Sequence, residues 1–124
     1  MPEVTPDSTP DLRSLVADWL DLETAADALG VSETQLRTML RRHELVALPP
    51  SPGDRAQVPA LFVQDGLVVK GLVGLLTVLH DGGYDPAQSV AWVFTDADLP
   101  GRPIDALREN RGSEVKRRAQ AMAF

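Results

Sequence analysis

The spacing of apolar residues changes several times along the chain, and each change marks an element. Leu12, Leu15, Val16 and Trp19 recur at helical spacing, which predicts either a short amphipathic helix over 12–20 or a partly ordered lead-in. Asp21 can cap a following helix, with Glu23 in its first turn and Ala25, Ala26 and Leu29 on one face. Gly30 then ends it, because glycine takes a positive φ without strain. Ser32 is the next cap. Gln35 three residues later completes an S-x-x-Q capping box, and Val31 and Leu36 have the spacing of a hydrophobic staple. These signals agree on a second helix over 32–42, joined to the first by a tight turn.

The pattern then shortens. "LVAL" (45–48) predicts a strand, "PPSPGD" (49–54) a turn, and "RAQV" (55–58) a returning strand, which together form a small β-hairpin. Pro59 can open a helical turn in "PALFV". "QDG" (64–66) is turn chemistry, and "LVV" after it is extended. "GLVGLLTVLHDGGY" is apolar on most sides, as a buried helix is, and its G-x-x-G reads as close packing. Asp85 and Pro86 open another helix, in which Trp92 and Phe94 are core candidates. "DADLPG" is loop, and Pro103 begins a short helix. A last helix from about Ser113 carries Val115, Ala119 and Met122 on one stripe. Residues 1–11, rich in Pro, Thr, Ser and Asp, have no apolar pattern and are expected to be a disordered tail.

Composition narrows the class. Of 124 residues 44% are apolar and 24% charged, so a core can form. Cysteine is absent, which removes disulfides and thiolate ligands and suits a reducing cytoplasm. The first dozen residues lack a signal-peptide core. The longest apolar stretch, "LVVKGLVGLLTVL", has 13 residues including Lys70, too few to span a membrane. His43 and His80 have no carboxylate partners at metal-ligand spacing and are read as structural, His43 on the core side of its helix. No glycine-rich loop follows a strand, and no nucleophile has a base at a telling spacing. The expectation is therefore a non-enzymatic protein with no cofactor and no metal.

Net charge is −6, but it is unevenly spread. Residues 1–29 hold seven acids and one base; residues 30–58 hold three acids and four bases. The helix over 32–42 thus escapes the acidic segment. At about 100° per residue, Thr34, Arg37, Thr38 and Arg41 fall on one face, with Leu36, Met39, Leu40 and His43 opposite. Arginine can donate two parallel hydrogen bonds to guanine or phosphate, and threonine can meet a phosphate or a thymine methyl. Gln35 and Arg42 flank this face, and Arg55 sits on the hairpin. A helix-turn-helix followed by a two-stranded wing reads duplex DNA with its second helix in the major groove. The plainer reading, a charged outer face on a structural helical hairpin, remains open. "EVKRRAQ" (114–120) is either a solvated face or a second contact to a nucleic-acid backbone.

Several stretches together carry a resemblance: "WLDLETAADALGVS", "LVAL", "VPALF", "GLVVKGLVGLLTVLHDGGY", "WVFT", "RPIDAL" and "EVKRRAQAMAF". Over residues 19–124 the chain resembles the actinobacterial winged helix-turn-helix DNA-binding proteins, a family whose mycobacterial member is a Ser/Thr protein kinase substrate. The resemblance implies DNA binding through the winged part. Thr5, Ser8 and Thr9 stand in an acidic tail and are candidate phosphoacceptors from the residues themselves; the resemblance, which does not reach the tail, adds a Ser/Thr kinase as the partner that would act on it. "PPSPGDRAQ" departs from the pattern, with one arginine where more bases are expected. "GLVGLLTVL", "AWVFT" and "RPIDAL" are also similar to the toxin-binding half of Xre-type antitoxins, which implies a protein partner or a homodimer through the C-terminal half.

The resulting expectation is a mainly α fold: a disordered tail (1–11), a winged helix-turn-helix (12–58) and a C-terminal helical domain (59–124) sharing its core. The expected function is cytoplasmic DNA binding, as a transcriptional or nucleoid-associated regulator. Its expected contacts are Thr34, Gln35, Arg37, Thr38, Arg41, Arg42 and Arg55. The alternative is a protein-interaction adaptor with the helix-turn-helix as scaffold.

Overall fold

The structure, a computed structural model, describes residues 12–95 and 102–123. The expected disordered tail, Thr5, Ser8, Thr9, the "DADLPG" loop and the side chain of Met122 lie outside the described residues.

The chain opens with one helical turn, α1 (Leu12–Leu15), closed by a bond from the Val16 N–H to the Leu12 carbonyl. The helix expected over 12–20 stops there. Trp19–Asp21 instead forms strand β1, antiparallel to β2 (Gln57–Pro59), with Leu20 opposite Val58. A partner nearly forty residues away decides this, and it overrides the local helical period. Helix α2 (Leu22–Leu29) follows at once, capped by Asp21, whose Oδ1 accepts from the Thr24 N–H at 2.7 Å. Gly30, at φ 69°, closes it. Helix α3 (Glu33–Arg41) begins with the full capping box: Gln35 N–H to Ser32 Oγ at 3.0 Å, and Ser32 N–H to Gln35 Oε1 at 2.8 Å.

The wing is present but barely a ladder. Residues 45–48 do not form a strand; Leu48 and Gln57 exchange two backbone bonds of 2.9 Å, and pairing goes no further. The register gives the reason. The next hydrogen-bonded pairs would join Pro50 to Arg55 on one side and Val46 to Pro59 on the other. Each contains a proline, which can accept but not donate, so neither pair can exchange both bonds as Leu48 and Gln57 do. At the tip, Ser51 and Asp54 close the turn reciprocally, and Gly53 sits at φ 90°. Gln57 therefore lies between Asp21 and Leu48, and β2 makes its longer pairing with β1.

A 3-10 turn (Ala60–Phe62) leads into a hairpin of β3 (Val63–Gln64) and β4 (Leu67–Val68) around Asp65 and Gly66, both at positive φ. Two consecutive left-handed residues suit the right-handed twist of the flanking strands. Then come α4 (Leu72–Asp81), α5 (Pro86–Phe94), α6 (Pro103–Arg108) and α7 (Gly112–Ala123). Helix α5 carries a second capping box, Asp85 with Gln88. Helix α4 packs along α7, and α1 reaches across to α5.

Phe62, Leu72, Leu75, Leu79, Val90, Val93, Ile104, Val115 and Ala119 are buried with Leu36, Leu45 and Val58 in one apolar cluster. The expected apolar faces of α4, α5 and α7 point into it. Phe94 is buried against Phe62 at 5.6 Å between ring centroids, whereas Trp92 is only partly covered. Arg108 fastens the two parts of the chain. Its Nη1 donates to the Leu61 carbonyl at 2.7 Å and to the Val63 carbonyl at 3.0 Å, and its own carbonyl accepts from Gln64 Nε2 at 3.3 Å.

His43 departs from the expected core position. It lies past the end of α3 at φ 61°, exposed. Its ring stacks on that of His80, in the last turn of α4, at 3.8 Å and 18° between planes.

Candidate nucleic-acid interface

Helix α3 presents its polar face because the apolar face is fully used. Leu36 is buried, and Val31, Met39 and Leu40 pack against the core. What remains outward is Thr34, Arg37, Thr38 and Arg41, with Gln35 and Arg42 at its edges. Thr34, Gln35, Arg37, Arg41 and Arg42 are exposed, and Thr38 is half-buried.

These groups are ordered by one another. Arg37 Nη2 meets Glu33 Oε2 at 2.9 Å, an i,i+4 ion pair on an open surface, with the arginine side chain 55% exposed. Thr38 Oγ1 donates to the Thr34 carbonyl at 3.2 Å and accepts from Arg41 Nη2 at 3.0 Å. The helix backbone thus fixes Thr38, and Thr38 aims Arg41. Arg42 lies 4.0 Å from Glu44, a loose pair, with its side chain 70% exposed. Gln35 spends its carbonyl oxygen on the capping box, so only its NH2 group is left for an outside acceptor.

Arg55 comes from the wing and joins Arg37 at a cleft of about 700 Å3 between the start of α2, α3 and the wing. Asp21, Glu23, Glu33 and Asp54 line the same cleft, so four carboxylates face two guanidinium groups there. The Asp21 carboxyl is held below its ordinary value of 3.8, chiefly by the backbone hydrogen bond from Thr24, and so stays ionised. Arg41 and Arg42 lie away from this cleft. The structure therefore divides the expected contacts: Arg37 and Arg55 share a mixed-charge cleft, and Thr34, Thr38, Arg41 and Arg42 stand on the open helix face.

Glu33 is the residue that reading the arginines alone undervalues. Its i,i+4 spacing to Arg37 is visible in the sequence. The Arg108 clamp and the His43–His80 stack have no such local signal.

Three features define the class: β1 pairing back onto β2, the α2–turn–α3 unit with its polar outer face, and the wing pinned at Leu48–Gln57. Together they make a winged helix-turn-helix. Residues 10–63 match the family described as "DNA-binding protein Rv2175c, wHTH domain", and residues 69–123 match "Rv2175c C-terminal domain of unknown function". The chain belongs to the Rv2175c family. The Mycobacterium tuberculosis (strain ATCC 25618 / H37Rv) protein described as "DNA-binding protein Rv2175c" is 41% identical over 118 residues, spanning 84% of this chain and 80% of that one. The solved "NMR structure of Rv2175c" matches over 100% of both chains, with a TM-score of 0.73 and 34% identity.

Proposed function

We propose that this chain binds duplex DNA, with α3 laid in the major groove and the wing beside the backbone, and that it works there as a transcriptional or nucleoid-associated regulator. The observation that carries the reading is the outer face of α3, where Arg37, Thr38 and Arg41 stand exposed or half-exposed in a fixed arrangement. The relative described as a DNA-binding protein supports it. The Glu33–Arg37 pair does not block it, because an exposed pair of this kind is worth about 0.3–0.5 kcal/mol. A phosphate or guanine contact to arginine can replace that.

The carboxylates in the cleft repel phosphate, so the duplex meets the crest of α3 and the tip of Arg55 and leaves the cleft empty of DNA. Thr34, Arg37, Thr38, Arg41 and Arg42 are the contacts from the helix, and Gln35 contributes through its NH2 group alone. With so few cations, binding is sensitive to salt. If four arginines each meet one phosphate, the slope of log K against log salt is about −3 to −4. Mobility shift of a duplex across a salt series tests this. Arg37→Ala with Arg41→Ala should roughly halve the slope and leave thermal melting almost unmoved. A duplex that never shifts at low salt, with a protein retained in pull-down instead, would favour the adaptor reading. On the same proposal Thr5, Ser8 and Thr9 are the acceptors of a Ser/Thr kinase. Each phosphate adds roughly −1.5 to −2 charges and weakens DNA binding.

A further inference from the structure

A second cavity, of about 400 Å3, lies in the C-terminal half and is lined by Lys70, Gly71, Asn110, Gly112, Ser113 and Lys116. Its lining differs in kind from that of the α3 cleft. It holds two ammonium groups, one hydroxyl, one carboxamide and two glycines, and no carboxylate. Among the described residues neither Lys70 nor Lys116 has an ion-pair partner. Glu109, which precedes Asn110 in the chain, pairs with Arg111, and neither it nor Glu114, which follows Ser113, is part of the lining.

The two lysines come from different elements and are brought together by packing. Lys116 projects from α7 and lies over Gly74 of α4: a Cβ built on Gly74 would stand 3.6 Å from its Nζ. Lys70 immediately precedes Gly71, the residue that opens α4 at φ 89°. A Cβ on Gly71 or Gly112 would stand 3.2 Å from Leu107 Cδ2, so both glycine backbones pack closely on that buried side chain, and this packing sets Lys70 and Ser113 around one cavity. Two like charges held at one opening repel each other and create a positive potential that nothing in the lining neutralises.

We infer that this cavity binds a phosphate group carried on a larger body. Phosphate fits the chemistry: lysine binds it as a point charge, and the Ser113 hydroxyl and Asn110 amide are donors of matching type. The volume exceeds that of a bare phosphate ion and leaves space for the group that bears it. The site is separate from α3 and does not depend on how α3 is used.

The test is a titration of the full chain with inorganic phosphate at ionic strength held constant with potassium chloride, read from backbone amide shifts. The expected result is saturable movement of the Gly71, Gly112 and Ser113 signals. Lys70→Gln with Lys116→Gln should weaken it by at least about tenfold, since each lost partner is a charge-assisted hydrogen bond. Both lysines are exposed, and unchanged signals elsewhere in the spectrum establish that the variant is folded. The Arg37→Ala, Arg41→Ala protein should bind phosphate normally, so failure of the DNA reading and failure of this site are told apart. A short duplex serves as a second arm. If it moves the same amides, the phosphate belongs to a nucleic-acid backbone; if it leaves them still while inorganic phosphate moves them, the ligand is a small phosphate ester. Shifts that do not saturate, or that persist undiminished in the double lysine variant, overturn the site.

Discussion

At the scale of single residues, the outer face of α3 is a competition between an internal carboxylate and an external one. Glu33 holds Arg37 at 2.9 Å and also places a negative charge beside any approaching phosphate. Removing that charge frees the arginine and lowers the repulsion, so Glu33→Gln should tighten duplex binding by about two- to threefold, the scale of an exposed ion pair. Equilibrium titration at fixed low salt measures it, and weaker binding would mean that Glu33 is needed to aim Arg37. Arg108 is a different case. Its partners are carbonyls 47 and 45 positions away, which no periodicity in the sequence reveals. Arg108→Ala would leave the Leu61 and Val63 carbonyls without these donors and should cost about 2–3 kcal/mol of unfolding free energy in a denaturant titration.

At the scale of elements, the helices with strong end signals sit where their sequence places them. Ser32 with Gln35, Asp85 with Gln88, and Gly30 act within three or four residues of the backbone groups they satisfy. The signal and its structural effect are therefore read in one window. The strands were less legible. Trp19–Asp21 carries a helical period and becomes β1, while "LVAL" has strand composition and makes one bridge. Strand pairing is settled by the partner, and here the partner's prolines limit it. Substituting Pro50 by Thr restores a donor opposite Arg55. It should extend the wing by one pair, visible as slow hydrogen exchange at the amide gained at position 50, which donates to the Arg55 carbonyl. If that amide exchanges as fast as an open loop, the turn at 51–54, and not the missing donor, stops the ladder.

At the scale of the whole molecule, the net charge of −6 conceals a division of labour. Acids crowd the start of the chain and the cleft beside α2. The open face of α3 and the cavity between Lys70 and Lys116 are two places where positive groups stand exposed. Acid also marks the limits of stability. The Asp105 carboxyl is lowered chiefly by the hydrogen bond from Arg102, against burial that pushes it up, and Asp21 is lowered by Thr24. A carboxyl with a lowered folded value stabilises fully above its unfolded value. That contribution fades as pH falls through the lowered one. Stability should therefore hold from neutral down to about pH 4 and decline below it. Asp105→Asn should melt lower at neutral pH and show a shallower decline in acid. An unchanged acid profile would remove Asp105 from the account.

By itself, the sequence determined the capped helices, the glycine turn between α2 and α3, and the polar face holding Thr34, Arg37, Thr38 and Arg41. All of these follow from interactions between residues three or four apart. Tertiary structure decided what depends on distant partners: β1 on β2, the truncated wing, the Arg108 clamp, His43 against His80, and Lys70 beside Lys116. The physical reason is that helix ends and faces are set by hydrogen bonds along one stretch of backbone. A strand, a clamp or a two-lysine cavity exists only once the core has brought remote segments into contact.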